Sequence, residues 1–206
     1  MKRSGLRGLS LVEMMIYMTL LVLIAGSALI VVVMANRFFN STIDNNAVQR
    51  EAQITMLRIS HELEESKQGK VLVEPEGIIF LSPRTKKEEF NYDYGGDGLL
   101  VWQKWVCYYV DSQGGKQKLC RAEAYLKDPT TDPPDPTLTT ADFKNLSTRP
   151  EIVAHDLLAF EVEDSALSAN TFDIRASFGR EGRTNNTDGD RMAEKVDIEN
   201  SVHLRN

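Results

Sequence analysis

From Leu9 to Ala35 the chain reads LSLVEMMIYMTLLVLIAGSALIVVVMA, an apolar run in which Glu13 is the only formally charged residue. At ~1.5 Å per residue a helix of this length rises about 40 Å, enough to span a hydrocarbon core of ~30 Å. The helical pattern continues through Asn36-Arg37-Phe38-Phe39 to about Ser66. Ala52, Met56, Ile59 and Leu63 recur at intervals of 4, 3 and 4, which places them on one face. That stripe is expected to lie on a sheet, with Glu62, Glu64 and Glu65 on the solvated side and Gly69 as the stop.

After Gly69 the period shortens and strands are expected. Val71-Leu72-Val73 and Gly77-Ile78-Ile79-Phe80-Leu81 open the series, and a charged turn follows around Arg84 to Glu89. Leu99 to Val110 is rich in aromatic and β-branched residues, and Lys116 to Tyr125 runs back from Asp111-Ser112-Gln113-Gly114-Gly115, a hairpin pattern. Five prolines between Asp128 and Pro150 cannot sustain a regular element and predict an exposed loop. Residues 151–162, 171–178 and 196–206 read as further strands, with a mobile Gly/Asn/Asp-rich loop over 179–190. The expected fold class is α+β: a lollipop with a long N-terminal helix, transmembrane in its first half, packed on an antiparallel β-sheet. The segments are 1–8, a basic leader; 9–36, the apolar helix; 37–68, its polar continuation; and 69–206, a globular β domain.

Charge sharpens this picture. Lys2, Arg3 and Arg7 precede the apolar run, and none of the span's residues is basic, so the positive-inside rule puts the N-terminus in the cytoplasm and everything after Asn36 outside. Without the first eight residues Lys+Arg falls from 24 to 21 against 30 Asp+Glu, moving the net charge from -6 to -9. An acidic body of this kind argues against direct contact with nucleic acid, which is held through many Lys and Arg contacts to phosphate.

A secretory signal peptide also begins with a basic stretch and an apolar core, but its core is only ~7 to 15 residues and ends in a small-x-small cleavage site. Neither feature fits. A carboxylate inside an apolar helix costs on the order of a few kcal/mol and is normally there for a partner. The plain alternative is a Glu13 that reaches back to the cytoplasmic interface.

Gly8-Leu9-Ser10-Leu11-Val12-Glu13-Met14 resembles the type III signal sequence of prepilins: a short basic leader ending in Gly, a hydrophobic first mature residue and Glu fifth after the cut. The resemblance implies cleavage between Gly8 and Leu9 by a prepilin peptidase, N-methylation of Leu9, and a role for Glu13 in compensating the N-terminal amine of a neighbouring subunit, which fixes axial register. Leu9 departs from the usual Phe, and the proline that kinks many major pilins is absent near Ile30. Residues 57–64, LRISHELE, are similar to the corresponding helix of PilW-type minor pilins and J-type minor pseudopilins of type II secretion, and the Leu204-Arg205-Asn206 ending is familiar in the former.

The fold and function so implied are those of a minor pilin-like structural subunit, priming a type IV pilus or sitting at its tip; the alternative is a J-type pseudopilin. Expected partners are other major and minor pilin-like subunits, the prepilin peptidase, the inner membrane and its assembly platform. Before assembly the chain would cross the inner membrane once with a periplasmic head, and afterwards reside in the pilus or pseudopilus. A reading of another class is an anchored periplasmic ligand-binding or adhesive module using the acidic loops.

Chemical motifs add little. Cys107 and Cys120 are the only cysteines. If the hairpin turn centres on Gln113-Gly114 they lie opposite one another, and a cross-strand disulfide is conceivable in an oxidising compartment; a register shift leaves two reduced core cysteines instead. His61, His155 and His203 are scattered, and no metal site is expected from them. Residues 186–190 and 93–97 carry oxygen ligands beside Gly but lack full calcium-loop spacing. No nucleophile elbow or phosphate loop occurs, so neither enzymatic activity nor a cofactor is expected. Trp102 and Trp105 alternate imperfectly with polar neighbours and are assigned to the core or to a subunit contact.

Overall fold

The computed structural model describes residues 10–92, 96, 98–112, 115–146, 150–165, 168, 170–181 and 193–205. The chain divides into two compact units, Met1–Asn46 and Ala47–Asn206. The first consists, in its described part, of the beginning of α1 (Leu11–Glu64), a helix of 54 residues whose remainder belongs to the second unit.

In the second unit, α1 from Ala47 onward packs on a seven-stranded sheet. The strands are β1 (Val71–Glu74), β2 (Gly77–Ser82), β3 (Trp102–Asp111), β4 (Gln117–Thr130), β5 (Glu151–Asp164), β6 (Thr171–Glu181) and β7 (Ala193–His203), and a short helix α2 (Thr140–Leu146) lies between β4 and β5. Every neighbour pair is antiparallel and the spatial order follows the chain from β1 to β7. Sequential strands need only short connections, and an antiparallel sheet tolerates one solvated face.

The two faces are covered differently. One takes the α1 stripe: Val48, Ala52, Met56, Ile59 and Leu63 are buried against Ile78, Phe80, Val106, Tyr108, Leu119, Phe160, Ile174 and Phe178. The other is apolar over β1–β4, where Ile79, Leu81, Trp102, Trp105, Cys107, Tyr109 and Cys120 meet Phe143 of α2 and Leu72 of β1 packs alongside. Over β5–β7 that second face carries cross-strand polar pairs such as Ser177–Asp197 and Asp173–Ser201. At the far end of α1, the Arg205 amide donates to the Glu64 carbonyl at 3.1 Å, satisfying one of the helix's orphan acceptors.

The α+β class and helix-on-sheet packing stand as expected, and four details are corrected. Glu65 is buried and Glu62 largely so, each held by an arginine, so they are not a solvated side. Helix α1 ends at Glu64, and Gly69, at φ 70°, instead occupies the left-handed position of the turn closed by Lys70 N–H to Lys67 O. The 128–150 segment is not a loop throughout: β4 runs on to Thr130, and α2 occupies 140–146. Helix α2 begins with a capping box, Thr139 N–H to Asp142 Oδ2 at 2.8 Å and Asp142 N–H to Thr139 Oγ1 at 3.3 Å. Finally, Cys107 faces Ala122 while Cys120 faces Tyr109, two places away from the register that would set the cysteines opposite. Strand β6 extends to Glu181, and the rest of the expected 179–190 loop lies outside the described residues.

Candidate functional site

The first candidate is the start of α1. Ser10 is its N-cap and Glu13 the third helical residue, and the pair forms a reciprocal capping box. The Ser10 amide donates to Glu13 Oε2 at 2.9 Å, and the Glu13 amide donates to Ser10 Oγ at 3.2 Å. A helix start leaves four backbone donors without partners, and in an apolar medium no water is at hand to take them. Glu13 therefore performs a local task within its own chain, at the end of the helix where its charge also suits the macrodipole.

Leu11–Asn40 forms a 30-residue stretch long and apolar enough to cross a membrane, with none of it buried within the protein. Leu11, Leu21, Leu23, Ile24 and Val31 are each more than 60% exposed, a continuous apolar surface of a kind water-soluble monomers do not carry. The hydroxyls inside it are satisfied locally: Thr19 donates to the Ile16 carbonyl and Ser27 to the Ile24 carbonyl, both at 2.9 Å. Gly8 and Leu9, the expected processing positions, lie outside the described residues.

The second candidate is a charge network between α1 and the sheet. Arg121, on β4 and only 5% exposed, donates to Glu62 at 3.0 Å and contacts Glu123, with Glu151 at 3.6 Å. Arg58 bridges Glu62 at 3.2 Å and Glu151 at 2.6 Å and 2.9 Å. Lys104, with no exposed surface at all, donates to Glu88 and Glu123 at 2.7 Å each. Arg84 pairs with buried Glu65 and stacks over the Phe90 ring at 4.7 Å. Burial alone would push the Glu123 carboxyl up, yet hydrogen bonds from Lys104 and Tyr125 and the charge of Arg121 hold it down at about 2. The hydrogen bond from Arg58 holds Glu151 below the usual carboxylate range. Every charge here has opposite partners, which is what permits burial. Tyr108, buried beside them, leaves its hydroxyl without a partner among the described residues.

Cys107 and Cys120 are free, buried thiols on one face of the β3–β4 pair; burial pushes Cys107 up to about 12 and raises Cys120 as well. Trp102 and Trp105 are both in the core under α2, brought to the same face by the irregularity between Trp102 and Lys104. His61, His155 and His203 lie apart and exposed on α1, β5 and β7. Among the described residues no group of three or more His, Cys, Asp or Glu converges as metal ligands would. A shallow depression lined by Glu51, Lys116, Lys118, His155 and Asp156 contains an ion pair, Lys116–Asp156 at 3.2 Å, and Glu51 accepting from the His155 amide at 2.7 Å. Both oxygen-rich loop candidates, 186–190 and most of 93–97, lie outside the described residues.

The network and both tryptophans' shared face were not legible in the sequence, because each depends on which strands become neighbours. The capping box has a local signal, Ser10-x-x-Glu13 at the start of the apolar run, although Glu13 was read there only as a charge in need of a partner. Comparison of the chain with protein-family models, with curated proteins and with solved structures finds no match.

Proposed function

We propose that the protein is a minor pilin-like structural subunit of a type IV pilus, acting as an assembly primer or tip component and not as an enzyme. The observation that carries this reading is a lipid-length apolar helix segment with one acidic residue, Glu13, in its first turn, directly after a short basic leader ending at Gly8. The same helix α1 goes on to supply the stripe that packs on an antiparallel sheet.

The physical logic is one of charge in an apolar medium. Cleavage after Gly8 would release an α-amino group on Leu9, four residues before Glu13. Neither an ammonium nor a carboxylate is stable alone among hydrocarbon, so each subunit entering a bundle of such helices is drawn to the position where the two charges meet. Glu13 would pair through its other carboxylate oxygen while Oε2 keeps the helix cap. Between helices the apolar side chains supply packing, and the acidic head stays in the periplasm. Partners on this reading are other pilin-like subunits, a prepilin peptidase and an inner-membrane assembly platform.

The test is the intact mass of the protein taken from membranes of cells with and without the prepilin peptidase, in the wild type and with Gly8→Ala. The expected result is peptidase-dependent loss of residues 1–8 plus one methyl group on Leu9, with the Gly8→Ala chain uncut. An uncut wild-type chain, or a cut after Ala35, overturns the proposal.

A further inference from the structure

The two edges of the sheet are finished differently. At one edge, β1 is 4 residues long and is followed at once by Pro75. Its last residue, Glu74, is occupied in accepting the Thr140 amide at 3.0 Å at the start of α2. At the other edge, β7 is 11 residues long and pairs with β6 in unbroken register from Glu181↔Ala193 to Thr171↔His203, with neither bulge nor proline. Among the described residues nothing pairs with its far side. Alternate backbone N–H and C=O groups along β7 therefore point outward without a ladder partner, the arrangement to which an extended strand adds.

The side chains of this edge define what would be accepted. On the helix side Val196 and Ile198 are only half-buried, because the sheet stops there. On the opposite side Lys195, Asp197 and Glu199 are exposed. Asp197 already meets Lys195 at 3.0 Å on its own strand, but the face behind the edge stays acidic, with Glu161 and Glu163 on β5 and Asp173 on β6 set against Arg175. Arg175 is already engaged by Glu199 at 2.9 Å and Glu163 at 3.3 Å. Edge charges often serve to repel unwanted strands, but proteins that rely on protection usually also shorten, bulge or cover the edge. Here β1 is shortened and tied down, while β7 keeps its full length and has charge as its sole filter.

We propose that β7 is a docking edge for an extended strand of a partner protein, one with Lys or Arg at alternate positions and aliphatic residues between them. Main-chain hydrogen bonds supply the affinity, the aliphatic positions cover Val196 and Ile198, and the basic positions meet Asp197 and Glu199. The charge pattern turns away acidic strands by the same contacts. This inference does not depend on the pilin reading and survives if residues 1–8 are never removed.

The experiment uses the full chain in detergent micelles and a capped nine-residue peptide of alternating valine and lysine as the probe, with amide hydrogen exchange as the readout. Outward-directed amides of β7 are expected to exchange fast in the free protein and to slow about tenfold or more on adding the peptide. An Asp197→Lys, Glu199→Lys double variant with unchanged circular dichroism is expected to lose that slowing. The same peptide N-methylated at alternate residues, which removes its ladder donors, is expected to give none. Protection elsewhere than β7, equal effects from the N-methylated peptide, or β7 amides already protected in a self-associated chain would each overturn the proposal.

Discussion

Arg121 belongs to β4, yet its guanidinium touches carboxylates from α1, β4 and β5, and its exposure of 5% leaves almost no water to replace them. Removing one member of such a network strands the others, at about 3–5 kcal/mol, whereas an exposed pair such as Arg175–Glu199 contributes about 0–1 kcal/mol. Arg121→Ala is therefore expected to lower the urea midpoint severely and Glu199→Ala hardly at all. The same network sets a pH dependence. Glu123 is depressed to about 2 from an ordinary value of 4.5, so the stability it contributes is fully present above about 4.5 and is lost as the pH falls toward 2. Unfolding free energy measured across this window should fall with pH, and Glu123→Gln should flatten the slope by up to about one proton. The cysteines give a sharper residue-level outcome. With both thiols free and buried, a maleimide should label neither in the native protein and two per chain in denaturant, without prior reduction. Labelling that requires a reductant would mean the pair is bonded.

At the scale of elements, the features readable in advance were those whose cause lies within a few residues. The 4-3-4 spacing of Ala52, Met56, Ile59 and Leu63 identified the buried face of α1, and all four are at most 3% exposed. Every strand from β1 to β7 was legible to within a few residues from its alternating or β-branched runs, because the pleat itself produces that period. Helix α2 was hidden by the prolines before it, although its Thr139-x-x-Asp142 cap is a local signal that marks the start. What the local pattern could not supply was pairing: the two-place offset of Cys120 and the burial of Glu62 depend on β4 meeting both β3 and α1. Gly77 is a further case. A Cβ there would stand 2.2 Å from the Tyr108 carbonyl oxygen and 3.0 Å from Tyr109 Cα, both backbone atoms that cannot swing aside. Gly77→Ala should thus push β2 from β3 and destabilise by at least the ~1–3 kcal/mol of an overpacked core, whereas Gly26→Ala, with nothing within 4 Å, should leave the head's unfolding unchanged.

At the scale of the whole molecule, the two compact units bury apolar surface by different means. Ala47–Asn206 contains all of the α1 stripe, the full sheet and both clusters, so its core is complete without the first 46 residues. Among its described residues Met1–Asn46 has no core of its own: the side chains of Leu11–Asn40 are exposed, and lipid, detergent or another protein is needed to remove them from water. A chain beginning at Ala47 loses the span and keeps the part of the helix that the sheet supports, which starts at Val48. It is therefore expected to be soluble without detergent, to keep its strand signal in circular dichroism and to unfold in one cooperative step, as a domain of its size does. The full chain, by contrast, should float with lipid vesicles and leave them only in detergent. If the shortened chain aggregated or lost its strand signal, the span would be part of the folded core, and the division of the molecule at Asn46 would be wrong. If it stayed folded but still floated with vesicles, the head itself would hold a membrane-binding surface, for which exposed Ile54 and Leu57 on the outer side of α1 are the first residues to replace with polar ones.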